Sequence, residues 1–134
     1  MRRHSFDLPP SADDIADMAE QALAAIPARL SRHVQGVGIV VDDMPDDDTL
    51  DEMGIENAWE LTGLYRGVPL IHRSITDIAR EPDMIHLYRE PILLEWIETN
   101  VDLYRLVRNV LVHEIAHHFG FSDAEIEALE REMG

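Results

Sequence analysis

The residues best suited to chemistry stand together in His113-Glu114-Ile115-Ala116-His117-His118-Phe119-Gly120-Phe121-Ser122-Asp123, which reads H-E-x-x-H-x-x-G-x-x-D. Residues four apart on a helix lie one above the other, with Cβ atoms about 5–6 Å apart. Two imidazoles at that spacing can both aim a nitrogen at one tetrahedral Zn²⁺, about 2.0–2.1 Å away. Glu114 is turned about 100° around the helix from His113, so it does not share the ligand position but can reach a water there. Gly120 tolerates the left-handed backbone that breaks a helix and swings the chain back. Asp123 can then offer its carboxylate as a third ligand. Three protein ligands leave a fourth position for water, the arrangement of a catalytic site. At this composition H-E-x-x-H arises by chance in roughly 3 of 100 shuffled chains, and the fixed Gly and Asp lower that about a hundredfold.

Other readings of these residues stay open. Asp123 follows Ser122 in a capping box, where an acid favours a helix N-terminus in any case; capping and ligation are compatible. Two histidines and one carboxylate also suit Fe(II) in oxygenases, although Glu114 in the base position favours zinc. His118 faces about 100° away from His117 and reads as a neighbour of the ligands or a surface group rather than a fourth ligand. Met84, His86 and Tyr88 alternate onto one strand face; if that strand borders the cleft, His86 or Tyr88 could donate to an oxyanion. His4, His33 and His72 carry no motif. Trp59 and Trp96 read as core or half-buried packing.

Several elements must position these groups. Thr99, with Asp102 three residues on, reads as the cap of the motif-bearing helix. Leu103, Leu106, Val107, Val110 and Leu111 form its apolar stripe, and Gly120 stops it. Ser122 and Glu125 form a capping box for a last helix through Ile126 and Leu129. Ser11 and Asp14 open an earlier helix carrying Ile15, Met18, Ala19, Ala22, Leu23 and Ile26, and Pro27 interrupts it. Residues 37–41 are β-branched and predict a buried strand. Residues 60–65 and 68–72 predict a hairpin around Arg66-Gly67, with Pro69 at an edge position. Residues 83–89 alternate as a further strand, and Pro91 opens a helix through Trp96. From Asp42 to Glu60 there are nine acids and no base, which predicts a solvated acidic loop. A calcium loop does not fit: counted from Asp46, the sixth position is Asp51 where a Gly is needed.

The 134 residues fit one domain, with residues 1–10 expected to be a flexible segment. The 46% apolar content excludes wholesale disorder. Twenty-seven acids against eleven bases, all of them Arg, give a net charge of -16. That sign opposes gathering of nucleic-acid phosphates or an anionic membrane and favours cationic or neutral partners. With no cysteine, disulfides, thiol catalysis and Cys-type zinc sites are excluded. The Arg2-Arg3 pair has no apolar run behind it, and no stretch is long enough to span a membrane. A cytoplasmic protein is expected.

The signature resembles that of the zincin metallopeptidases, in the variant ending in Asp. Residues 12–130 resemble the minimal zincin family, a small bacterial zincin-like metallopeptidase family. Besides the signature, the resemblance rests on Gly63-Leu64-Tyr65-Arg66-Gly67-Val68-Pro69-Leu70 and Ile85-His86-Leu87-Tyr88-Arg89-Glu90-Pro91-Ile92. It implies an α+β core with a small mixed sheet packed on the metal-bearing helix. It also implies zinc at His113, His117 and Asp123, with Glu114 as the catalytic acid/base. Metzincins carry a Met-containing turn well beyond the third ligand; here eleven residues follow Asp123 and their sole Met is Met133, so a core without the far cleft wall is expected. The leading reading is a zinc-dependent hydrolase of a peptide or small amide. The alternative is a weakly active or inactive zinc-binding scaffold that serves a partner. A metal-dependent endoribonuclease fits less well: the rRNA-processing family with a similar pattern ends in a third His and lacks the Glu, and the acidic charge opposes RNA.

Overall fold

The computed structural model describes residues 8–67 and 83–134. Chain order runs α1 (Ala12–Ala25), α2 (Ala28–Ser31), β1 (Gly38–Asp42), α3 (Asp47–Met53), a 3₁₀ turn (Ala58–Glu60), β2 (Gly63–Arg66), β3 (Met84–Tyr88), α4 (Arg89–Thr99), α5 (Leu103–His118) and α6 (Asp123–Met133). This is the expected α+β architecture. The three strands form one mixed sheet in the order β1-β3-β2.

Local chemistry sets the helix ends. Asp14 N–H donates to Ser11 Oγ at 3.0 Å and Ser11 N–H donates to Asp14 Oδ2 at 2.8 Å, the reciprocal box expected for α1. Ser122 and Glu125 repeat it for α6 at 3.2 and 3.0 Å. The motif helix begins later than expected. Thr99 is the last residue of α4, where its hydroxyl donates to Glu95 O at 2.7 Å. Asn100 then turns left-handed (φ 56°) and ends α4. The chain restarts at Asp102, whose carboxylate accepts from Arg105 N–H at 3.1 Å. Helix α4 starts directly off β3, two residues before Pro91; the ring sits in the first turn, where its missing N–H leaves no bond unmade.

The acids of the stretch are exposed as expected, but it is not all loop: Asp47–Met53 form α3. Asp46 accepts from Thr49 N–H at 2.8 Å and caps α3, Asp47 and Asp48 lie in the first turn, and left-handed Gly54 stops the helix. Acids at a helix N-terminus favour the helix rather than oppose it. Thr49 is buried and Leu50 packs inward, while Arg66 reaches across to Glu52 and the Thr49 hydroxyl at 3.0 Å each.

β1 pairs in parallel with β3 (Ile39 opposite Ile85) and β2 antiparallel with it (Tyr65 opposite Ile85). The second strand expected of a hairpin, 68–72, lies outside the described residues; the described partner of β2 is β3. β1 is half-buried rather than buried, because among the described residues it flanks the sheet with a neighbour only at β3. Side chains alternate across the sheet. Ile85, Leu87 and Tyr65 face the main core with the α1 residues Ile15, Ala19 and Ala22. In that core α5 contributes the expected stripe and, beyond it, Val112, Ile115 and Ala116. On the far side Leu64 and Tyr88 join Leu61, Leu50 and Ile55 in a smaller cluster. Trp96 packs on the main core as expected, whereas Trp59 is 46% exposed on the 3₁₀ turn. Pro10 is buried and its carbonyl accepts from Arg89 Nε at 2.7 Å; residues 1–7 of the segment expected to be flexible lie outside the described residues.

Candidate metal centre

The motif splits cleanly by helix face. Ile115 and Ala116 are fully buried and pin the last turns of α5 in the core, which turns His113 and His117 outward to solvent. Their rings come to 4.8 Å between centroids at an interplanar angle of 45°, as expected of imidazoles one helical turn apart. Glu114 lies between these two faces and is half-buried. Burial pushes its carboxyl pKa up to about 7, while the nearby His117 pulls the other way.

The turn after α5 brings the carboxylate back. Gly120 adopts φ 81°. Its N–H donates to His117 O at 3.1 Å, and Phe121 N–H donates to Ala116 O at 2.9 Å. This is a Schellman ending, with glycine in the left-handed position that other residues resist. Ser122 caps α6 immediately afterwards, so Asp123 is the first residue of that helix. Asp123 Oδ1 thereby stands 3.6 Å from His117 Nε2, with the Asp123 side chain 88% exposed. α5 also holds the far end of α6: Arg108 donates to Met133 O at 3.2 Å and Gly134 O at 2.8 Å.

The structure therefore brings His113 to His117 and His117 to Asp123. Among the described residues no group of three His, Cys, Asp or Glu side chains converges as a ready coordination sphere. The other candidates fall elsewhere. His86 and Tyr88 do not face the helix; their neighbours on β3, Ile85 and Leu87, do. His86 and Tyr88 instead line a cavity of about 470 Å³ on the opposite face of the sheet, with Asp42, Asp46, Thr49 and Arg66. The oxyanion role for either is set aside, because strand alternation points them away from His113 and His117. His118 is exposed, and its ring stacks on Tyr65 at 4.0 Å and 25°. His33, which no motif singled out, stacks on Phe119 at 4.9 Å and 24°. Neither partnership is visible in local sequence, although Gly63 and Gly67, two residues to either side of Tyr65, leave room for close approach to α5.

Residues 34–133 match the zincin-like metallopeptidase family. The chain belongs to that family. The match runs from just before β1 to the end of α6 and so includes every element that carries the site, while α1 and α2 precede it. No curated protein matches the sequence. In this member of the family His113 and His117 stand exposed at the end of α5, backed by the buried Ile115 and Ala116. No helix among the described residues is long and apolar enough to cross a membrane.

Proposed function

We propose that this zincin-like protein is a zinc-dependent hydrolase of peptide or amide bonds. The observation that carries the reading is the pairing of exposed His113 and His117, one helical turn apart, with a half-buried Glu114 between them. The donor types suit zinc: two imidazoles one turn apart and a carboxylate 3.6 Å from one of them, the nitrogen and oxygen ligands that a tetrahedral zinc ion takes. His113, His117 and Asp123 would hold the metal, and the exposed Asp123 side chain is free to turn towards it.

Zinc, when bound, supplies a Lewis acid for water and for the scissile carbonyl. The chain's own residues do the rest. Glu114 takes a proton from water onto its carboxylate as the new C–O bond forms. It then gives that proton to the leaving nitrogen as the C–N bond breaks. The core residues Ile115 and Ala116 keep Glu114 and the histidines in fixed relative positions. The acidic surface draws basic peptides and admits neutral ones more readily than acidic ones.

The test is hydrolysis of a broad peptide library by zinc-loaded protein. Cleavage that a chelator abolishes and zinc restores supports the reading. A protein that binds one zinc yet leaves every library member intact is the scaffold of the alternative reading.

A further inference from the structure

β2 lies on α5 with no side chain between them at two points. A Cβ on Gly63 would meet Val110 Cγ1 at 2.8 Å, and a Cβ on Gly67 would meet His118 Nε2 at 2.8 Å. Four residues of strand cover about 13 Å, and eight residues of helix cover about 12 Å. The strand therefore tracks α5 from Val110 to the metal-facing end. Between the glycines, Tyr65 stacks on His118 at 4.0 Å and meets Phe119 edge-on at 5.6 Å. The Tyr65 hydroxyl donates to Asp83 Oδ2 at 2.8 Å, which ties the ring to the start of β3. On its other side Phe119 carries His33. A Cβ on Gly67 would also meet Tyr65 Cε1 at 3.2 Å, so the exposed His118 ring lies flat on Tyr65 with Gly67 at the rim of the stack, one residue from His117.

We propose that His118 is a positioning residue: through Tyr65 and Gly67 it sets the distance between β2 and the end of α5 that carries His113 and His117. The inference rests on the zinc-hydrolase reading of that helix end. Among the described residues β2 is an outer strand of the sheet, and a peptide paired along it is then presented at a fixed offset from His117. The stack on Tyr65 needs a flat ring: alanine removes it, and phenylalanine restores it without an imidazole nitrogen.

The experiment compares zinc-loaded wild type, His118→Ala, His118→Phe and Gly67→Ala on one library peptide. Zinc affinity is measured separately by chelator competition, and amide exchange of Tyr65, Arg66 and Gly67 is followed in the metal-free proteins. Loss of one aromatic stack should raise KM up to about tenfold with kcat and zinc affinity within about threefold. Gly67→Ala should reproduce His118→Ala, and His118→Phe should restore KM. Exchange at β2 should quicken in His118→Ala and recover in His118→Phe. Unchanged KM and exchange in His118→Ala overturn the proposal. So does loss of zinc in both His118 variants, which makes His118 a ligand. If wild type neither binds zinc nor cleaves peptide, the hydrolase reading fails; the exchange result alone then decides whether His118 holds β2 against α5.

Discussion

His117 Nε2 and Asp123 Oδ1 lie 3.6 Å apart across a helix boundary. That approach depends on one left-handed residue, Gly120, at φ 81°. An added Cβ there meets nothing within 4 Å, so a substitution is opposed by backbone strain rather than by a clash. Gly120→Ala is expected to lower stability by about 1–2 kcal/mol and to weaken zinc binding. Gly120→Asn should cost less, because Asn tolerates the left-handed region. Chemical denaturation and chelator competition on the three proteins measure both effects.

Ser122 and Asp123 are adjacent but have separable jobs. Ser122→Ala removes the cap of α6 and is expected to cost about 1 kcal/mol of stability while zinc is retained. Asp123→Ala keeps the cap and is expected to lose zinc affinity with little change in the stability of the metal-free protein. Denaturation and zinc titration of both variants separate capping from ligation.

His113 makes no contact that the core needs. Its side chain is exposed on α5, opposite the buried Ile115. His113→Ala should therefore fold as wild type by circular dichroism and lose bound zinc in elemental analysis. A full zinc complement in the folded variant contradicts ligation by His113.

Burial raises the Glu114 pKa to about 7 from an ordinary 4.5. Between those two pH values the metal-free folded state holds a proton that the unfolded state has released. Stability contributed by the neutral carboxyl is thus fully present below about pH 4.5 and is lost as pH rises through about 7. Glu114→Gln, which stays neutral, should gain on wild type across that window. Denaturant midpoints of both metal-free proteins at pH 5 and pH 8 give the difference; a constant offset contradicts the shift.

Much of the site is local and therefore legible. The capping boxes at Ser11 and Ser122, the α5 stripe and the Gly120 stop are each written within a few residues. α3 is missed by a reading from acidic composition alone, although its cap Asp46 and its stop Gly54 are local features. Strand pairing was not legible, because β2 finds β3 about twenty residues on, beyond the reach of turn chemistry. His86 and Tyr88 show the same limit: alternation put them on one face, but only packing decides which face meets the helix. The burial that shifts Glu114, and the His118–Tyr65 stack across more than fifty residues, arise only in the folded chain.

The most direct measurement is peptide turnover by zinc-loaded Glu114→Gln beside wild type, with zinc content determined on the same samples. Glutamine keeps the shape of Glu114 but cannot take a proton from water. The account predicts full zinc in both proteins, with turnover in wild type and a loss of about a hundredfold or more in the variant. Equal cleavage by both, with zinc bound, contradicts Glu114 as the base.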